Sequence, residues 1–198
     1  KGARETCAQT LFLSLVMGLV SSVALHFGAG PLVRFLGATD DYYYLALDYM
    51  KYASIGLFFQ SISTSVAAML RGAGKTNMSM IFSLASSLVN VVVAYVMINL
   101  LKMGVAGSGI AFLFGHVIGS VIALYMLFFV KSLPININLK DLITIRPDLI
   151  RRISRVGMGS ALETLSLRIG LIVFTMLIVN LGTAEYAAHN MAGTVYNY

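Results

Sequence analysis

Two charged side chains interrupt the apolar stretch from Val156 to Leu181: Glu163, seven residues in, and Arg168, near its middle. In a membrane-spanning helix, seven residues place Glu163 roughly 10 Å from the near end. A charge held at mid-span costs at least about 2.5–3.5 kcal/mol, so it needs a partner or water and marks an ion or substrate path by default. Five helical residues put the two charges on different faces, so they do not pair directly with each other. Arg168 shares a face with Thr164 and is placed to meet a carboxylate on a helix outside this chain. A carboxylate in a partly dry cavity holds its proton more tightly than in water, which suits a proton or Na⁺ site. The alternative for both residues is a structural buried pair.

A second constellation is neutral. Ser79, Ser83, Ser86, Ser87 and Asn90 recur every three or four residues between Met78 and Leu101, continued by Ala94, so they line one helix face. Gln60, Ser63, Thr64 and Ala67 make a similar face between Tyr43 and Leu70. A lipid-facing surface has no reason to collect such groups. Either they join helices by close packing and hydrogen bonds, or they line a wet cavity. The serines fit the first role; Asn90 and Gln60, larger and nearer mid-membrane, fit the second.

The histidines carry less. His26 and His189 fall near helix ends, and His116 lies within Gly115-His116-Val117-Ile118-Gly119, a spacing that permits close helix packing. There is no HExxH zinc motif, Walker A loop or GxSxG nucleophile elbow, so an enzyme has no residues to stand on. Cys7 is the only cysteine, so neither an internal disulfide nor a cysteine-built metal site can form.

The elements that position these groups follow from composition. Apolar residues make up 58% of the chain and charged ones 11%, with a mean hydropathy of +0.84. A soluble domain carries nearer about 25% charged residues, so the solvent for most of this chain is lipid. Its net charge of +6 suggests nucleic acid only until the charges are assigned to loops. Runs of roughly 20 apolar residues predict spans at Ala8–Phe27, Tyr43–Leu70, Met78–Leu101, Gly104–Val130 and Val156–Leu181. The first is expected to close at Gly28, Gly30 and Pro31, and a sixth helix to begin near Thr183. These runs are too long and too uniformly apolar for barrel strands, so the fold is all-α, a polytopic transmembrane helix bundle.

If the first residue is cytoplasmic, Lys1, Arg4, Arg71, Lys75, Lys131, Lys140, Arg146, Arg151, Arg152 and Arg155 lie inside. Only Arg34, Lys51 and Lys102 then lie outside, which the positive-inside rule favours. The cluster Tyr42, Tyr43 and Tyr44 falls at the outer interface. Residues 131–155 read as a cytoplasmic linker with an amphipathic helix, Leu149, Ile150 and Ile153 on the membrane and Arg151, Arg152 and Arg155 toward head groups. A solvated basic loop is the other reading. With no initiator Met and no leader-like start, the chain is expected to be an internal fragment of a longer protein.

The turn Arg71-Gly72-Ala73-Gly74-Lys75-Thr76 resembles the Arg-Gly-x-Gly-x-Thr turn of the multidrug and toxic compound extrusion (MATE) family. Gly104-Val105-Ala106-Gly107-Ser108-Gly109-Ile110-Ala111 is similar to the start of that family's sixth helix. Gly157-Met158-Gly159-Ser160-Ala161-Leu162-Glu163 and Leu181-Gly182-Thr183-Ala184-Glu185 look like its seventh helix, with its acid, and the start of its eighth. The resemblance implies a two-lobe, twelve-helix fold. Residues 1–130 would be the last four helices of the N-lobe, 131–155 the inter-lobe linker and 156–198 the start of the C-lobe.

It further implies a secondary active antiporter of a bacterial plasma membrane. Such a protein exports cationic amphipathic drugs in exchange for H⁺ or Na⁺ by alternating access, with lipid, substrate and coupling ion as its partners and no other cofactor. Glu163 matches the acid thought to bind the cation in one branch. Gln60, Ser63, Thr64, Ser83, Ser87, Asn90 and Arg168 are the expected substrate-cavity residues. Asn90 corresponds to a cavity asparagine of another branch, but the aspartate that often follows four residues later is Ala94 here, and the proline often found before the acid is Gly159. Two alternatives remain: a flippase for lipid-linked oligosaccharides of the same superfamily, and a non-transporting membrane subunit.

Overall fold

A computed structural model describes residues 2–35, 40–129 and 146–181, and every regular element among them is helical. The helices are α1 (Gly2–Phe35), α2 (Asp40–Gly72), α3 (Thr76–Tyr95), α4 (Gly104–Phe129) and α5 (Pro147–Leu181). A single π-helical turn, Val96–Leu100, ends α3. All five helices are long and apolar enough to cross a membrane. The expected sixth helix from Thr183, with Glu185 and His189, lies outside the described residues, as do Val130 and residues 131–145 of the expected 131–155 linker.

Helix ends differ from the sequence expectation, chiefly in α1 and α5, and α1 begins at Gly2 instead of Ala8. α1 does not close at Gly28, Gly30 and Pro31; it runs on to Phe35 with Pro31 inside it. A proline removes one backbone hydrogen bond, and membrane helices tolerate that because neighbouring groups satisfy what it frees. α5 begins at Pro147, not Val156, so the basic amphipathic segment is continuous with the span. Pro147 suits the first helical position, and Asp148 meets the positive end of the helix dipole.

The chain divides into two units, residues 1–150 and 151–198. In the first, α1 packs on α2, and α4 packs on both α2 and α3. Interhelix contacts fix the directions. Ser61 Oγ donates to the Ser14 carbonyl at 3.1 Å and His26 Nδ1 lies 3.1 Å from Ser54 Oγ, so α1 and α2 are antiparallel. Gly109 abuts Tyr49 and Tyr52, and Gly56 abuts Phe112, so α2 and α4 run the same way. Buried Gly107, Gly109, Gly115 and Gly119 give α4 the small face that allows this approach, as the Gly115–Gly119 spacing predicts.

At the end of the unit that holds Arg71, a core of Leu11, Ile62, Val66, Leu70, Phe82 and Leu127 closes the bundle. α2 stops there in a tight turn. Gly74 N–H donates to the Arg71 carbonyl at 3.0 Å and Lys75 N–H to the Leu70 carbonyl at 2.8 Å. Gly74 has φ +74°, a left-handed conformation that glycine adopts without strain. The opposite end carries the exposed pair Asp48–Lys51 at 3.2 Å and the Arg34 guanidinium 5.2 Å from the Tyr43 ring centroid.

The residues leading into α5 are tied to α1. Arg146 Nη1 donates to Glu5 Oε2 at 2.8 Å, and the Arg146 N–H donates to Oε1 of buried Gln9 at 3.2 Å. Because the ion pair is half exposed, Glu5→Gln should lower stability by less than about 1 kcal/mol. Thermal unfolding of the detergent-solubilised protein checks this; a larger loss would make the pair a principal anchor.

Candidate functional site

Among the described residues, cavities open between α1–α4, and the polar face of α3 lines two of them. The first, about 240 Å³, lies between α2, α3 and α4; its wall includes Ser63, Thr64, Ser83, Ser87, Arg71 and His116. The next, about 280 Å³, is walled by Ser86, Ser87, Asn90, Phe112, Gly115 and His116. Ser86, Ser87 and His116 border both, so the two form one polar track running from Arg71 to Asn90. The third, about 570 Å³, lies between α1 and α2 and is lined by Ser14, Ser21, Gln60, Ser61, Thr64 and Ser65.

Helical periodicity explains the track. Positions 83, 86, 87 and 90 fall on one side of α3, while Leu84, Leu88 and Val91 on its other side are exposed for lipid. Ser86 Oγ donates to the Gly115 carbonyl at 2.6 Å, a bond possible because Gly115 has no side chain in the way. On α2, Ser63 donates to the carbonyls of Phe59 and Gln60, both at 3.1 Å, so its hydroxyl proton is engaged within its own helix while its lone pairs can still accept. Arg71 Nη1 donates to Ser79 Oγ at 3.2 Å, which holds the guanidinium at one end of the track.

The structure therefore brings together Ser63, Thr64, Ser83, Ser87 and Asn90. Gln60 belongs to a different wall: it faces the α1 cavity, and Thr64 is the residue common to both sides. Glu163 and Arg168 stand on α5 in the second unit, both exposed. They are about 140° apart around the helix, and neither meets a partner within α5. Thr164 and Ser166 on the same helix return their hydroxyl protons to the carbonyls of Ser160 and Leu162, at 2.8 and 2.9 Å.

His116 and Arg71 are the ionisable lining residues that pattern reading did not assign to a cavity. The GxxxG spacing accounts for the glycines beside His116 but says nothing of the imidazole between them. An ionisable residue in mid-span was itself the available signal. His116 Nδ1 is buried without a hydrogen-bond partner among the described residues, as is Ser65 Oγ. Among those residues no group of three or more His, Cys, Asp or Glu could hold a metal ion.

A family model described as MatE matches residues 1–96. A probable multidrug resistance protein NorM of Thermotoga maritima is 25% identical over 195 residues, which is 96% of this chain and 41% of that protein. A crystal structure of a MATE in its bent conformation superimposes with a TM-score of 0.87 at 27% identity, over 98% of this chain and 43% of that one. A MOP superfamily transporter from Pyrococcus furiosus, described as having a binding pocket of reverse polarity, gives 0.89 at 26% identity, over 98% and 43%. The chain thus spans about two fifths of the length of these relatives. It is a multi-pass membrane chain related to the MATE transporters along nearly its whole length, as its turn and helix-start motifs indicate.

Proposed function

From that kinship we propose that the full-length protein is a secondary active antiporter that exports cationic amphipathic compounds in exchange for inward H⁺ or Na⁺. The observation that carries the reading is the polar track from Arg71 to Asn90 inside a bundle whose outer surface is apolar. Helix glue alone needs no cavity, whereas a path for a hydrated or polar solute does. Glu163 is the coupling carboxylate. Ser63, Thr64, Ser83, Ser87 and Asn90 form one polar wall of the substrate path, Gln60 a second, and Arg168 acts from α5. No covalent chemistry is involved, and no cofactor beyond the coupling ion.

Kinship suggests a bacterial plasma membrane, and the charge distribution supports a cytoplasmic first residue of this chain. Arg4, Arg71, Lys75 and Arg146 then lie on the inside and Arg34, Lys51 and Lys102 on the outside. The Arg71 end of the track opens toward the cytoplasm in that orientation. Residues 131–155 link the N-lobe to the C-lobe, the first turns of α5 included.

Ethidium efflux from a drug-sensitive bacterial host tests the reading. Asn90 lines the inner part of the track, where its amide can donate to and accept from a solute. Asn90→Ala should slow efflux about 2- to 10-fold at equal expression, the worth of one hydrogen bond. An unchanged rate would remove Asn90 from the path. One observation favours the oligosaccharide flippase instead: Arg71 and His116 line the track, and no carboxylate does among the described residues. Failure of the wild-type protein to export ethidium, with transport of a lipid-linked anion in its place, would select that second reading.

A further inference from the structure

The proposed path leaves His116, on its wall, without a role. Within the antiport reading above, and resting on it, we infer that His116 is a proton-exchanging residue of the track, taking up a proton in competition with the cationic substrate.

Its placement carries the inference. The imidazole borders both cavities of the track, at the point where they join. Its Nδ1 is buried and has no hydrogen-bond partner among the described residues. A packing histidine would place that nitrogen on a carbonyl or hydroxyl, since a buried polar atom left unpaired is costly. Packing is already supplied by Gly115 and Gly119 on either side, which meet Asn90 and Ser86. What remains for the imidazole is a proton, exchanged with the cavities that it borders. The Phe112 and His116 rings meet in a T-shaped contact at 4.4 Å between centroids, and a Phe112 face turned to an imidazolium would add a cation–π contact.

The charged and titratable surroundings are sparse. From α2, Arg71 lines the same cavity, while Tyr49 and Tyr52 pack on α4 at Gly109, two turns away. From α3, the only titratable group is exposed Tyr95, and the π-turn Val96–Leu100 brings none. On α4 itself the other titratable group is exposed Tyr125. No described carboxylate lines the track to neutralise a second positive charge.

A cation entering the track therefore meets either a neutral imidazole or an imidazolium that repels it. The step balances simply. A hydronium in the cavity gives its proton to the lone pair of the unprotonated ring nitrogen and leaves water; on release the same proton returns to water, and no other bond changes. Histidine suits this exchange because it titrates near neutral pH without needing a large shift.

The test uses the purified full-length protein in detergent, in weak buffer with a pH indicator, near pH 6.5. Ethidium binding is followed by fluorescence anisotropy and proton release by the indicator. Wild type should release protons as ethidium binds. His116→Gln and His116→Asn should still bind ethidium but release at least about threefold fewer protons. Undiminished release from both variants overturns the assignment. If wild type does not bind ethidium, the antiport reading fails first, and isotope-labelled histidine NMR then decides on His116 itself. A ring signal missing from both variants that titrates between about pH 5 and 8 keeps the proton site. A signal that stays flat across that range overturns it.

Discussion

Glu163→Gln in the full-length protein is expected to cut ethidium efflux by about 10- to 150-fold at equal expression. That range is the roughly 1.5–3 kcal/mol of one contact to a charged group, read as a rate ratio. Glutamine keeps the size and one acceptor oxygen but cannot hold a proton or counter a cation. Because it is also cheaper to insert than an ionised glutamate, the variant should reach the membrane at least as well as wild type. Glu163→Asp should recover part of the activity, since the charge is retained and only its reach is shorter. Efflux by the Gln variant equal to wild type would make Glu163 structural and shift the coupling role to the track around Asn90.

The second large effect concerns packing. A side-chain carbon built on Gly115 would stand 2.9 Å from Asn90 Cβ and 3.3 Å from the Ser86 carbonyl oxygen. The Ser86 oxygen and the Cβ fixed to the Asn90 backbone cannot swing aside, so α3 and α4 must part. Parting them also breaks the 2.6 Å bond from Ser86 Oγ to the Gly115 carbonyl. Gly115→Val should therefore cost about 1–3 kcal/mol, read as a lowered unfolding temperature in detergent, and should distort the track beside it. Gly28→Ala on α1 is the control, since its new carbon has nothing within 4 Å. A Gly115→Val protein as stable as wild type would mean that α3 and α4 are not held at this distance.

These two positions also show how much the sequence could tell. Lipid as solvent makes every span an uninterrupted apolar run, so five helices, their order and the polar face of α3 were legible from hydropathy and periodicity alone. Helix ends were not. Gly28, Gly30 and Pro31 look like a stop, yet α1 continues because a helix within the membrane loses more by exposing backbone than by one missing bond. Val156 looks like a start because hydropathy changes there. Backbone hydrogen bonding ignores that change, and Arg151 and Arg152 are good helix formers, so α5 begins at Pro147.

The site was legible as residue types and less so as geometry. Ser83, Ser87 and Asn90 could be placed on one face from spacing. That Gln60 turns toward α1 while Ser63 turns toward α3 depends on which helix packs where, and one helix's periodicity does not contain that. α4 sits against α2 as well as α3, so His116 reaches a cavity instead of only filling a seam. The pairing of non-consecutive helices is a tertiary fact, and it explains why His116 and Arg71 emerged only from the structure.

The most direct test of exchange itself needs no cell. The purified full-length protein would be reconstituted in liposomes, and ethidium followed as a pH or Na⁺ gradient is imposed across the membrane. Antiport predicts that ethidium moves against its own gradient while the driving ion runs down. An ionophore that dissipates that ion should stop the movement. Ethidium redistribution no different from that in protein-free liposomes, under either gradient, would contradict the account.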